Sequence, residues 1–463
     1  MESAKWLQSG VEDEFAGATL GDERRTRRLQ RVAQRLSAEP AKSFPQTFET
    51  KELEGFYRFL RSEYVKWESI LEPHLAASYE RAASIGECLV VHDTTEFQFT
   101  GRESLGTTTS SAKGFFAHFS LFVAMDSART PLGVAGLQQY EREGRDPAAT
   151  RREVVKDPQS EGRRWLRAVQ TVESRVASRF RCIHVADREG DMFELMAGAA
   201  EVDASFVIRA TYDRRIIEDD EDARLHDPLM RVKPAITRTI QISKRGKSLT
   251  PKMTRKYPVR GSREAEVAMA GTTVTLVRPY ERGHGPDLEV NIVRIWEPKP
   301  PAGEDPIEWL LYTSEAIESA DDLERIVDIY RARWTIEEYF KALKTGCAME
   351  KRQLESFDTL TNAVCIFAPI AWRLLLVRSV ARAAPDEPAA RVLSPTQIRI
   401  LELKLKCTVR TAKDAFLAVA RLGGHLKQNG EPGWQTLARG FEELLIGEYY
   451  FSLGQSAARS DQS

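Results

Sequence analysis

The sequence has few cysteines, no long apolar run and no leader pattern, and each scarcity excludes a class of protein. Its five cysteines are odd in number and form no C-x-x-C pair, so neither a disulfide framework nor a zinc site of the usual spacing is expected. No run reaches the roughly 18 apolar residues that a membrane-spanning helix needs, and the start lacks the basic-then-apolar pattern of a signal peptide. We therefore expect a cytoplasmic protein with reduced thiols and no membrane contact.

A strong excess of positive charge is also absent. The net charge of the 463 residues is −1, whereas affinity for DNA comes mainly from cations that neutralise phosphates. The distribution of charge along the chain is more informative than the total. Arginines gather between Arg24 and Arg35, and further basic residues lie between Lys244 and Arg263. Acidic residues gather elsewhere, between Glu218 and Asp222. Clustered basic residues on a neutral chain are compatible with nucleic-acid binding.

The most informative segment runs from Ile326 to Lys344. At about 100° per residue, one helix would project five polar side chains along one line, beside an apolar stripe suited to packing on a sheet. The line consists of Tyr330, Arg333, Glu337, Lys341 and Lys344. A solvated face with i,i+4 ion pairs is the ordinary explanation for such a pattern. A carboxylate flanked by cations and a phenol favours a site instead.

Two further acids lie upstream, each on a predicted strand. Asp93 lies on a β-rich run, and Asp187 ends the run that begins at Cys182. Either aspartate alone is more often a turn former or a helix cap. The predicted order β-β-β-α-β-α-β is that of a ribonuclease-H-like core, in which these two strands are neighbours. That fold would bring both aspartates together with Glu337.

Three such carboxylates suit phosphodiester cleavage. Two Mg²⁺ ions held by carboxylates activate a nucleophilic oxygen and neutralise charge on the departing one. His92 and His184 lie at odd strand offsets from the acids, so their rings should face the other side of the sheet. A histidine-based zinc hydrolase is therefore not expected.

The predicted fold class is α/β. We expect a helical DNA-binding domain at 1–70, a ribonuclease-H-like catalytic domain at 71–382 with an all-β insertion at about 212–315, and a helical C-terminal domain at 383–463. In the first domain, the residues expected to contact a duplex are Arg28, Arg58 and Arg61. An ordinary helical domain with a solvated arginine face is the alternative.

The pattern Tyr330-x2-Arg333-x3-Glu337-x6-Lys344 resembles the Y-R-E-K signature of bacterial insertion-sequence DDE cut-and-paste transposases. Shorter runs are similar to other parts of the same family, and they extend the resemblance over nearly the whole chain. These runs are Leu20–Leu29, Tyr57–Arg61, His92–Thr95, Asp187–Glu189 and Ala420–Gly424.

The resemblance implies a function and a set of roles. A homodimer would bind double-stranded DNA at the inverted ends of an element, nick it, form and reopen a hairpin, and insert the element into target DNA. Asp93, Asp187 and Glu337 would hold two Mg²⁺ ions, for which Mn²⁺ can substitute, and Trp309 would hold a flipped base. The residues that would grip DNA near the cleaved end are Arg188, Arg209, Tyr330, Arg333, Lys341 and Lys344.

Two alternatives stay open on the sequence. A relative of these transposases could bind the ends as a regulator without cutting them. A ribonuclease-H-like nuclease could cut nucleic acid without joining strands.

Overall fold

A computed structural model describes residues 6, 10–142, 160–218, 221–242, 259–280, 285–426 and 432–460. The chain divides into two compact units. Unit 1 consists of Met1–Arg145, Ser174–Arg181 and Trp334–Ser463, and unit 2 consists of Asp146–Glu173 and Cys182–Arg333. This division by compactness differs from the three domains that the sequence suggests, which stay a prediction.

Unit 1 begins with short helices. A 3-10 helix at Val11–Phe15 precedes α1 (Glu23–Ala38), α2 (Phe44–Thr47), α3 (Thr50–Leu60) and α4 (Trp67–Ala83). Asp22, directly before the arginine-rich run, is a residue type that favours a helix N-cap, and its carboxylate does cap α1 by accepting a hydrogen bond from the Arg24 N–H at 2.8 Å. Helix α1 buries an apolar stripe and leaves most of its arginines exposed, because only one face of an amphipathic helix packs inward.

Three antiparallel strands follow in unit 1. They are β1 (Glu87–Gln98), β2 (Gly114–Ala124) and β3 (Pro131–Tyr140), in the order β3-β2-β1. Strand β2 is buried over its whole length, because it lies between the other two. The three strands predicted in succession are confirmed; they form an antiparallel meander, which places Asp93 opposite Phe119.

The longest apolar helix of unit 1 lies in its core. Helix α8 (Ala320–Ala332) belongs to unit 2, and α9 (Trp334–Lys341) belongs to unit 1. Helix α10 (Phe357–Ala383), also in unit 1, contacts α4 and β3. By length and composition α10 could cross a membrane, but 94% of its most apolar window is buried. A buried core helix can be as long and as apolar as a membrane-spanning helix, so α10 is weak evidence for a membrane span.

Buried polar contacts fix the N-terminal helices within unit 1. His74 Nδ1 lies 2.5 Å from Glu14 Oε2, and Arg81 Nη1 donates to Glu14 Oε1 at 2.8 Å. The N–H of Val134 donates to His74 Nε2 at 3.2 Å, so the ring proton is on Nδ1 and the imidazole is neutral. The first helices are therefore part of the same packed body as the meander.

Three helices end unit 1: α11 (Pro395–Leu405), α12 (Ala412–Leu422) and α13 (Trp434–Ser460). A Cβ on Gly440 would lie 1.8 Å from Val419 O, and a Cβ on Gly423 would lie 1.8 Å from Thr436 O. Only glycine permits this approach of two helix backbones. The Gly423 position of the family-like A-R-L-G-G run thus serves packing within one chain.

Unit 2 contains a mixed sheet. Strands β4 (Arg181–Ala186) and β5 (Ser205–Arg209) are parallel, and helices α5 (Glu161–Val176) and α6 (Phe193–Glu201) precede and follow β4 in sequence. Trp165, Phe193 and Tyr312 belong to one buried cluster on this sheet. The observed element order is the predicted β-β-β-α-β-α-β, and the mixed α/β architecture is consistent with a ribonuclease-H-like core.

The residues predicted as an all-β insertion, about 212–315, contain strands that extend the sheet of unit 2 and one short helix; that they are an insertion stays a prediction. The strands are paired in the order β5-β11-β10-β9-β6-β7, with β8 also on β9. Their bounds, with one short helix α7, are β6 (Arg215–Glu218), β7 (Glu221–Arg224), α7 (His226–Arg231), β8 (Ile236–Ile242), β9 (Arg263–Leu276), β10 (Leu288–Trp296) and β11 (Glu308–Thr313). Residues 243–258 of the predicted basic loop lie outside the described residues.

The alternating runs EAEVAMA and TVTLVRP, with Gly271 between them, predict two strands joined by a turn, and that prediction is wrong. The strand continues through Gly271, which pairs with Val293 of β10. A Cβ on Gly271 would lie 3.1 Å from side-chain atoms of Ile317 and Leu323. This glycine therefore marks a close approach inside a strand and not a turn.

Candidate active site

The Y-R-E-K segment does not form one uniform helix. Helix α8 ends at Ala332, Arg333 keeps right-handed helical angles (φ −50°, ψ −34°), α9 ends at Lys341, and a π-helix spans Ala342–Gly346. The expectation of a constant 100° step thus fails at its C-terminal end, since a π-helix turn is wider than an α-helix turn. Lys344 lies on that wider turn.

In unit 1, Lys344 lies against the strand that carries Asp93. Its ammonium donates to the backbone oxygen of Glu96 and lies 5.5 Å from the ring centroid of Phe97, both on β1. Asp93 is half-buried, and its Oδ1 accepts the N–H of Thr94 at 2.8 Å. The Lys344 ammonium is thus bonded to β1 at Glu96, three positions along the strand from Asp93.

Glu337 and Lys341 share α9, and this helix also contacts β1. Glu337 is half-buried in the first turn. The Lys341 ammonium lies 3.0 Å from Glu338 Oε1 and 5.3 Å from the ring centroid of Trp334. The cation predicted beside Glu337 is therefore paired with the next carboxylate along the helix.

In unit 2, Asp187 both ends β4 and caps the next turn. Its Oδ1 accepts the N–H of Glu189 at 2.8 Å, at the start of a 3-10 helix. Asp187 is therefore a helix cap, which is the usual role of an aspartate that follows a strand. A cap occupies one carboxylate oxygen, so the role is compatible with metal binding by the other.

Asp191 fixes the same turn through several hydrogen bonds, although the sequence predicts no role for it. Its buried carboxylate accepts the N–H of Thr211 at 2.5 Å and of Tyr212 at 3.0 Å, and the Nε–H of Arg214 at 3.0 Å. The turn that carries Asp187 is thereby joined to the loop that follows β5. No local pattern could have indicated these partners, which lie 20 to 23 residues away.

Three predicted DNA-binding residues meet in unit 2 although they come from separate stretches. The rings of Trp309 and Tyr330 have centroids 5.7 Å apart, and the guanidinium carbon of Arg209 lies 5.9 Å from the Tyr330 centroid. Arg209 Nη1 donates to the Tyr330 hydroxyl at 3.4 Å. The antiparallel pairing of β11 with β5, in which Leu311 is opposite Arg209, brings Trp309 near Arg209, and helix α8, which contacts β5, supplies Tyr330.

The N-terminal arginines differ from one another. Arg28 Nη1 donates to Gly55 O at 2.8 Å and so joins α1 to α3. Arg58 is exposed on α3, and Arg61 is exposed with its guanidinium carbon 6.0 Å from the Tyr57 ring centroid. Arg58 and Arg61 are available to a duplex, whereas Arg28 also has a structural contact.

The three acids are carboxylates, which suit a hard divalent cation. Asp93 and Glu337 belong to unit 1 and Asp187 belongs to unit 2. Within the described residues, no three His, Cys, Asp or Glu side chains are grouped so that they could hold a metal ion. Assembly of the three acids into one metal site stays a prediction.

The two histidines near the acids are bound to other groups. His92 Nδ1 lies 2.9 Å from Ser120 Oγ, and His184 Nε2 lies 2.7 Å from Glu173 Oε1. Both rings are buried. These contacts give the two imidazoles structural partners.

Comparison with known families adds two matches. Residues 5–65 match the model described as transposase DNA-binding, and residues 162–370 match the model described as transposase DDE domain. The first match includes Arg28, Arg58 and Arg61, the second includes Asp187 and Glu337, and Asp93 lies between the two. The matches support a DNA transposase, and DDE transposase domains generally use divalent metal ions to cleave DNA.

Proposed function

We propose that this chain, with its transposase DNA-binding and DDE domains, is a cut-and-paste transposase. It would nick the inverted ends of its element, form a hairpin on each end, reopen the hairpin and join the element to target DNA. The observation that best supports this proposal is the cluster of Arg209, Trp309 and Tyr330 within the DDE match. A simple nuclease has no need of an aromatic platform for an extruded base.

Asp93, Asp187 and Glu337 are the residues proposed to hold two Mg²⁺ ions. Such ions activate the attacking oxygen and neutralise charge on the leaving oxygen. The Asp187 carboxylate is oriented by its hydrogen bond to the Glu189 N–H, and the buried Asp191 in turn fixes that turn. Fixed carboxylates lower the reorganisation needed at the moment of reaction.

The DNA end would be held by cations and aromatic rings. Arg188, Arg333 and Lys344 would neutralise phosphates near the scissile bond, and Lys341 would do so nearer the surface. A base extruded from the duplex would stack on Trp309, since stacking on an aromatic ring is tolerant of base identity. Arg209 and Tyr330 fix the ring that would support it.

The proposed partners are double-stranded DNA and a second copy of the chain. Exposed arginines of α1 and α3 would bind the inverted ends, and a homodimer would bring two ends together. DNA as the substrate places the protein in the cytoplasm, on the nucleoid when bound.

The test is an incubation of the purified protein with Mg²⁺ and a DNA fragment that carries the inverted repeats flanking its own reading frame. Denaturing and native gels would separate nicked, hairpin and joined products. Release of a hairpin-ended fragment that later joins a second DNA is the expected result. A stable shifted complex with no cut strand would indicate the regulator, and nicking without joining would indicate the nuclease.

A further inference from the structure

Arg352 is a buried guanidinium that joins two distant parts of unit 1. It is 4% exposed. Its Nη1 donates to Lys42 O, and its Nη2 donates both to Pro40 O and, at 2.5 Å, to Cys347 O. The first two acceptors lie about 310 residues from the donor along the chain. This contact therefore exists only in the folded protein.

Two aromatic rings flank the same group. The guanidinium carbon lies 4.9 Å from the ring centroid of Phe44 and 4.4 Å from that of Phe367. Within the described ranges, no carboxylate forms an ion pair with Arg352, and burial lowers its pKa to about 10. A buried cation without an acid is costly, and carbonyl dipoles and ring faces offset that cost here.

The segments that Arg352 joins have different proposed tasks. Pro40 and Lys42 lie in the loop between α1 and α2, within the match to the DNA-binding domain. Cys347 directly follows the π-helix that carries Lys344. A neighbouring residue, Glu350, accepts the N–H of Gln98 on β1 at 3.1 Å. One guanidinium thus ties the DNA-binding helices to a segment bonded to the strand of Asp93.

We infer that Arg352 is a positioning residue that sets where the DNA end is nicked. It fixes the DNA-binding helices relative to the part of the site formed by Asp93, Glu337 and Lys344, all within unit 1. The inference rests on the proposed function. If Arg352 served stability alone, its replacement would change only the amount of folded enzyme. If Arg352 also positions the DNA-binding helices, its replacement changes which phosphate is cut.

The experiment maps nicks at single-nucleotide resolution on an end-labelled fragment with the flanking inverted repeat. The variants are Arg352→Lys, Arg352→Gln and Phe44→Leu, the last of which keeps the guanidinium and loosens one wall of its site. The control is Arg263→Lys in unit 2, where a guanidinium likewise bonds several groups, the carboxylates of Glu297 and Glu304. Circular dichroism and a gel shift report folding and end binding for each protein.

The expected result is near-normal end binding by the Arg352 variants with nicks spread over neighbouring phosphates. Cutting at the wild-type phosphate should fall by up to ~100-fold, the effect of a misplacement of about 1 Å. The control should cut at one position. Nicks confined to the wild-type phosphate in all variants, or loss of folding in all three, would overturn the positioning role. Wild-type protein that binds but never nicks would instead overturn the proposed function itself, and this inference with it.

Discussion

The charged residues of this protein fall into two groups whose surroundings differ. In the interior of unit 1, Glu14 meets both His74 and Arg81, and Arg352 meets three carbonyls, so these charged groups have several partners each. In the proposed site, Glu337 and Lys344 remain partly exposed to solvent, although Lys344 also donates to Glu96 O and lies 3.5 Å from Glu350 Oε1. A buried charge must be matched by partners to be tolerated, whereas a functional charge must remain accessible to its substrate.

Asp187 and Asp191, four positions apart in one turn, show the same contrast at short range. Asp191 is buried and accepts several hydrogen bonds, while Asp187 is half-buried and accepts one from Glu189. Asp191 should therefore matter mainly for stability, and Asp187 mainly for DNA cleavage.

The largest effect is expected for Asp187→Asn. Asparagine keeps the cap acceptor for the Glu189 N–H but removes the negative charge. Cleavage should fall by more than ~100-fold, beyond the loss typical of residues that only support a metal ligand. End binding and the thermal unfolding midpoint should stay close to wild type, as measured by gel shift and circular dichroism.

The matched control is Asp191→Asn, which should lower the unfolding midpoint because the half-buried Arg214 loses its buried anion. DNA cleavage by Asp187→Asn at the wild-type rate would exclude Asp187 from the proposed metal site.

The interior cluster should make stability depend on pH. Burial alone would raise the pKa of Glu14, but contacts with His74 and Arg81 outweigh it and lower the pKa to about 2 from 4.5. Glu14 therefore contributes stability above pH 4.5 that is lost as pH falls towards 2. Burial also lowers the pKa of His74 below 6.5, so the unfolded chain binds this proton first and stability begins to fall below pH 6.5.

Urea unfolding of wild type and Glu14→Gln at pH 7.5, 4.5 and 2.5 tests this contribution. Wild type should lose roughly 2–3 kcal/mol more than the variant between pH 4.5 and 2.5. Equal losses in the two proteins would show that the cluster does not stabilise the fold through ionisation.

A smaller effect is expected for Trp309→Ala. Removal of a stacking platform costs about 1–3 kcal/mol per base, so hairpin formation should slow by roughly 5- to 150-fold. The fluorescence of 2-aminopurine at terminal positions of the transposon end would report the loss of a held base. Trp309→Phe should keep most of the activity, and equal activity of the alanine variant would exclude Trp309 from base holding.

The smallest effect is expected for Lys341→Ala. Lys341 is half-exposed and paired with Glu338, and such a pair contributes at most about 1 kcal/mol to stability. If Lys341 contacts a phosphate, end binding should weaken and the salt slope of binding should fall by about 1. Glu338→Gln keeps the cation and should leave that slope unchanged. An unchanged slope in Lys341→Ala would make it an ordinary surface lysine.

Local patterns were sufficient for much of the fold. Strand alternation predicted the meander that carries Asp93, and the polar residue before the arginine-rich helix predicted the Asp22 cap. They failed where backbone geometry departs from the average, as at the π-helix of Lys344 and the strand that continues through Gly271. A fixed period cannot indicate either departure, because each depends on what the segment packs against.

The sequence by itself determined the types and order of the elements, the identity of the proposed acids and the spacing from Tyr330 to Lys344, since these depend on neighbouring residues. Only the tertiary structure decided that Trp309, Tyr330 and Arg209 meet, and that Arg352 joins the first helices to the segment after Lys344. The physical reason is that hydrogen bonds and ring contacts are short-ranged in space and indifferent to separation along the chain. Which groups share a contact is therefore fixed only when the whole core packs.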